Sequence, residues 1–128
     1  MGMESFRERG KGQKVVLDTN ALLMPFEFPL NLDLELRSLL GNCSVVVPGP
    51  VIGELKRLRS RKAAAAIALA RNYDIVDTSR QGDDGVIDVA TRLGAVVLTN
   101  DTALRARLRK MGIRTIRLKS NDHLVLDD

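Results

Sequence analysis

With 128 residues the chain has room for one domain with its own core, and 45% apolar composition argues against a disordered polypeptide. Aromatics are 3% and Trp is absent, so the core must be aliphatic and an aromatic platform for stacking single-stranded bases is disfavoured. The formal charge of +4 permits a polyanionic partner without requiring one, and the single Cys43 excludes an intrachain disulfide framework or a thiolate metal cluster.

Residues 1–13, MGMESFRERGKGQ, read as a polar lead with the composition of a disordered arm and no apolar core of a signal peptide. No later apolar run approaches the ~20 residues that span a bilayer. No membrane contact is therefore expected, and a lone thiol suits the reducing cytoplasm. Val15, Val16 and Leu17 are too few for a buried helix and read as a buried strand that ends on Asp18. A helical pattern opens at Ala21, but Pro25 and Pro29 should interrupt it. Asn31 caps a short helix that runs to Leu40 and stops at Gly41. Residues 44–47 form the second strand, and Pro50 suits the first turn of the next helix. The segment 51–71, with AAAAIALA in its middle, is one helix or two with a break near 59–62. A third strand at 73–76, a helix over 83–93 closed by Gly94 and a fourth strand at 95–98 follow. A helix over 101–111 closed by Gly112 and a fifth strand at 113–118 complete the expected domain, 14–120, before a polar C-terminal tail at 121–128.

Strands alternate with helices almost throughout. That pattern predicts an α/β fold, a sandwich of helices around a mainly parallel sheet of four to five strands. Open parallel sheets bind ligands beyond the carboxyl ends of their strands, at the point where strand order reverses. Asp18 in VVLDTNALL and Asp101 in VVLTND each follow a strand directly. Glu54 lies near the start of the helix after the second strand, and Asp83 and Asp84 open the helix after the third. Asp18 and Asp101 also stand where helix N-caps stand, whereas Glu54 does not. Clustered carboxylates repel one another unless a cation sits between them. Hard oxygen donors without Cys or His suit Mg²⁺ or Mn²⁺. Such a cluster activates water and clamps a phosphate, which is the layout of phosphodiester hydrolysis.

Four segments in this order, VVLDTNALL, VPGPVIGEL, DDGVIDVA and VVLTNDTAL, resemble the PIN-domain nucleases over residues 14–118. The resemblance implies a three-layer α/β/α fold and Mg²⁺- or Mn²⁺-dependent cleavage of RNA by metal-activated water. It implies Asp18, Glu54, Asp84 and Asp101 as the metal-binding and catalytic acids, with Asn20 and Thr99 supporting them. At the third position the residues themselves leave two candidates. Asp83 lies nearer the apolar face of Val86, Ile87 and Ala90, while Asp84 follows the family offset, with Asp88 one turn on as an outer acid. Stand-alone domains of this size resemble two subfamilies. The stretches MPFEFPL and TNDTALRARLRKMGIRTIRL look closer to the archaeal relatives of the Fcf1/Utp24 ribosomal-RNA processing nucleases. VapC-like toxins are the alternative and would bring an antitoxin as partner. Homodimers are common in the family.

Basic residues crowd 56–62 and 105–119, which suits a phosphate backbone, so RNA, including an rRNA precursor, is the expected partner. Met24, Phe26 and Phe28 are expected in the core or at a dimer contact. His123 has no expected role. Two rival readings keep the α/β frame: a non-catalytic RNA-binding or assembly module, and a Mg²⁺-dependent phosphotransfer domain. An aspartyl-nucleophile phosphotransferase would want a second Asp where this chain has Asn20.

Overall fold

A computed structural model describes residues 12–127, so the expected disordered lead lies, apart from Gly12 and Gln13, outside the described residues. In chain order the elements are β1 (Gln13–Leu17), α1 (Thr19–Glu27), α2 (Leu32–Leu40), β2 (Cys43–Pro48), α3 (Gly49–Leu58), α4 (Arg61–Ala70), β3 (Asp74–Val76), α5 (Gly82–Leu93), β4 (Val96–Leu98), α6 (Thr102–Lys110), β5 (Thr115–Lys119) and β6 (His123–Leu126). The strands form one six-stranded sheet in the order β3-β2-β1-β4-β5-β6, parallel except for β6. Helices cover it to give the three-layer α/β/α fold. Val15, Val16, Leu17, Val97 and Leu98 are buried on both faces, as central parallel strands require. No described helix is long and apolar enough to cross a membrane.

Strand order sets the position of the site. From β1 the chain moves outward to β2 and β3, then crosses back to β4 on the other side of β1. The crevice between β1 and β4 is therefore where strand order reverses. Register is fixed there by Val15 opposite Val96 and Leu17 opposite Leu98.

Two local features, the first and third below, depart from the sequence expectation, and the second decides between alternatives that it left open. The first is α1, which continues through Pro25 rather than stopping. A proline inside a helix removes one hydrogen bond and costs about 3 kcal/mol. Ala21, Leu22 and Met24 on the same helix are all buried, and that burial outweighs the loss. Phe28 packs partly buried against the core while Phe26 is 36% exposed. The second concerns residues 51–71. The αL conformation of Arg59 (φ 51) ends α3, and the Ser60 hydroxyl accepts the Ala63 N–H at 3.0 Å to start α4. Two helices result.

The third is a sixth strand within the segment expected to be a tail. Ser120 and Asn121 both have positive φ (55 and 63), the backbone form that matches a hairpin's twist. The turn folds β6 antiparallel onto β5 and buries Leu124. Glu35 of α2 accepts the Leu124 N–H at 3.1 Å, so the new edge is partly covered.

Gly85 in α5 has a steric rather than a conformational reason. A Cβ there would lie 2.8 Å from the Arg80 carbonyl oxygen, which is backbone and cannot swing aside. Gly85→Ala should cost about 1–3 kcal/mol. A lower urea midpoint with an unchanged slope would show it, whereas an unaltered midpoint would mean the loop before α5 yields freely.

Candidate active site

Leu17 and Leu98 end adjacent strands, so Asp18 and Thr99 emerge side by side. Asp18 is only 7% exposed and has both oxygens engaged. Its Oδ1 accepts the Ala21 N–H at 2.8 Å, capping α1, and its Oδ2 accepts the Thr99 hydroxyl. The same Thr99 oxygen accepts the Asp101 N–H at 3.0 Å. Asp101 in turn caps α6 through Oδ1, which accepts the Leu104 N–H at 2.9 Å. Both acids are therefore helix N-caps, and one hydroxyl ties them together across the sheet.

Glu54 comes from the middle of α3. Its Oε2 accepts the Thr19 hydroxyl at 2.9 Å, so the residue after Asp18 orients an acid from another crossover. From the start of α5 comes Asp83. These groups line a pocket of about 310 Å³ whose polar wall is Asp18, Thr19, Asn20, Glu54, Asp83 and Asp101. Leu23, Val51, Leu58 and Val86 form the rest of the wall with Gly82, and none of the lining residues is a Lys, Arg or His.

The electrostatics follow from that composition. Burial pushes the Asp18 carboxyl up to about 6, and the Asp83 and Asp101 carboxylates push the same way. The bonds from Thr99 and Ala21 hold it lower than burial alone would. Asp83 is also raised, by loss of solvent first and then by Asp101, with Glu54 and Asp84 adding and Arg107 opposing.

The sequence matches the family model described as PIN like domain over residues 15–121. The chain belongs to that family. Among curated proteins it is 35% identical over 112 residues to ribonuclease VapC4 of Methanocaldococcus jannaschii, covering 78% of this chain and 86% of the relative. It is 28% identical over 130 residues to ribonuclease VapC9 of Archaeoglobus fulgidus, covering 94% and 96%. Among solved structures the PIN domain endonuclease Utp24 superposes with a TM-score of 0.79 at 21% identity, covering 89% of this chain and 90% of that one. A domain of a functionally unknown protein from M. jannaschii superposes with a TM-score of 0.60 at 17% identity, covering 84% and 92%. At those identities the structural likeness establishes the PIN fold alone.

Of the acids expected at a PIN site, the structure gathers Asp18, Glu54 and Asp101 at one pocket, with Asn20 on its wall and Thr99 bonded to Asp18. Asp84 is not among them. The α5 acid that lines the pocket is Asp83, whereas the motif offset points to Asp84. Residues three and four apart share a helix face, so Asp83 stands over Val86 and Ile87, which are buried. Asp84 lies a further 100° or so around the helix. Its side chain is 56% exposed and its Oδ1 accepts from Arg107 Nη2 at 2.8 Å. That bond holds the Asp84 carboxyl below its usual range. Asp88 faces Thr78 and Arg92 instead of the pocket. Thr19, which beside Asp18 would be expected to orient that acid or its water, bonds Glu54, and Asn100, which the sequence does not single out, accepts the Leu118 N–H through Oδ1 at 2.9 Å beyond the end of β4. A hydroxyl or amide partner is set by tertiary packing, and no local signal names it.

Among the described residues no three His, Cys, Asp or Glu side chains close on one ion position. Carboxylates spread in this way would suit an ion that keeps much of its water and takes one or two of them. All donors are oxygens, as hard ions prefer.

The raised Asp18 group sets a pH dependence. Its folded pKa of about 6 exceeds the ordinary 3.8, so between these values the native state binds more protons than the unfolded chain. Stability from this group is full below 3.8 and is lost as pH rises through 6. In metal-free buffer Asp18→Asn should therefore stabilise the protein at pH 8 by on the order of 3 kcal/mol, with the gain vanishing near pH 3.5. Urea denaturation of both proteins at the two pH values tests this; equal gains at both would remove ionisation as the cause.

Proposed function

We propose that the protein is a Mg²⁺- or Mn²⁺-dependent endoribonuclease whose ion site is built by Asp18, Glu54, Asp83 and Asp101, with Asn20 and Thr99 in support. The observation that carries this reading is the convergence of acids from four strand–helix crossovers on one pocket without a cationic lining residue. The two curated relatives, both named ribonucleases, support RNA as the substrate. A divalent ion held there supplies Lewis-acid polarisation of a phosphodiester and a nucleophilic water at neutral pH. The chain's own residues supply preorganisation. Asp18 is fixed by two hydrogen bonds, Glu54 is aimed by Thr19, and Asp101 is anchored through its backbone N–H and its cap. Leu23, Val51 and Val86 form an apolar side of the pocket, where water is excluded and charge interactions gain strength.

For the cellular role, the relatives favour a VapC-type toxin acting in the cytoplasm and held in check by an antitoxin. Both carry that name, one of them at 35% identity. The rRNA-processing role suggested by MPFEFPL and the arginine-rich end has the likeness to Utp24 behind it, at 21% identity.

Cleavage of an unstructured RNA and of a structured ribosomal-RNA fragment, with Mn²⁺ or with EDTA, tests the reading. The native chain should cut only with metal, and Asp18→Asn and Asp83→Asn should each abolish cutting. Thr99→Ala should lose about 10–100-fold in activity, the usual cost of removing a group that orients a ligand. Cutting that persists in Asp18→Asn would overturn the site. Growth arrest on expression would support the toxin role, and its absence together with selective cutting of the ribosomal fragment would favour rRNA processing.

A further inference from the structure

The ribonuclease reading leaves one pair of residues without a task. Asp84 turns outward, away from the acids it neighbours, and binds Arg107 of α6 at 2.8 Å. Both side chains are more than half exposed, so the pair adds little to stability. Its position is what distinguishes it. Asp83, next in sequence, lines the acidic pocket, and Arg107 is bonded to its immediate neighbour. On the other side of Asp84 a second hollow, between α5 and α6, is lined by Arg80, Asp84, Ile87, Asp88, Arg107 and their neighbours. Arg107 thus lines a hollow that carries a second arginine and is bonded to the residue next to an acid of the first pocket.

We infer that Arg107 binds a backbone phosphate of the substrate at the mouth of the acidic pocket, and that Asp84 is a positioning residue that holds its guanidinium there. The inference rests on the ribonuclease reading and deepens it. An acidic pocket repels a phosphate chain at its entrance, and a fixed cation at the rim offsets that repulsion. A guanidinium with one N–H committed to a carboxylate keeps the rest of its fork for a phosphate. The hollow beyond Arg107 gives the chain a path toward Arg80.

The test is binding of a labelled single-stranded RNA in EDTA across a salt series, together with steady-state cleavage in Mn²⁺. The proteins are the native chain, Arg107→Ala, Arg107→Lys, Asp84→Asn and the double variant Asp84→Asn/Arg107→Ala. Arg107→Ala should weaken binding on the order of tenfold and lower the salt slope by about one. KM should rise by more than kcat falls, and Arg107→Lys should restore part of the loss. Asp84→Asn removes a negative charge, which by itself would tighten RNA binding. Weaker binding in the native background, with no weakening in the Arg107→Ala background, would therefore report positioning. Binding by Arg107→Ala within twofold of native overturns the inference. So does Asp84→Asn that binds normally but has lost kcat as Asp18→Asn does, because Asp84 would then be an ion-site acid. Should the native chain bind RNA and cut none, the ribonuclease reading falls and the salt slopes still decide Arg107. A native chain that binds no RNA overturns both.

Discussion

A carboxylate buried at the end of a central strand is the constraint on which the rest of this structure turns. Asp18 has almost no access to water, and an acid in that position stays charged only if the protein replaces the hydration it has lost. The replacement is two hydrogen bonds from different parts of the chain. One comes from the first turn of α1, the other from a hydroxyl at the end of β4. The second bond exists only while β1 and β4 keep their register, with Leu17 against Leu98. Since that hydroxyl also receives the Asp101 N–H, the sheet register, two helix caps and two acids form one linked unit.

The cluster stores electrostatic strain that the aliphatic core has to carry. Asp18 and Asp83 both resist ionisation, and each is pushed by its acidic neighbours. Arg107 partly offsets the push on Asp83, while no Lys, Arg or His lines the pocket wall beside Asp18. On the proposed reading the hydrogen-bonded acids are already held in place, so a cation would bind without rearrangement of Asp18, Glu54 or Asp101.

Basic residues are divided between tasks by their surroundings. Asp127, at the end of the hairpin, accepts from the Thr115 hydroxyl and from Arg117 Nε, both at 2.9 Å, and lies 3.7 Å from Arg105. Two arginines of the run near residues 105–119 thus pin α6, β5 and the segment after β6 together. Arg107, on the same helix, is turned toward α5 instead. Similar side chains a few residues apart tie the C-terminal hairpin to α6 in one case and pair with Asp84 of α5 in the other.

The alternation of apolar runs with helical segments was enough to place five strands and the α/β class, because period and turn residues are local properties. It also located Asp18, Glu54 and Asp101, since a polar residue directly after a buried strand must emerge at the carboxyl edge of the sheet. What it missed depended on partners remote in sequence. Pro25 lies inside α1 because burial of its neighbours outweighs a local penalty. HLVL is a strand because β5 offers an edge for it. That acids meet at one edge of a parallel sheet follows from strand ends and cap positions, which are written in short stretches of chain. That α5 presents Asp83 to the pocket and turns Asp84 to Arg107 follows from packing against the sheet, because adjacent residues on a helix differ by rotation alone and packing sets that rotation.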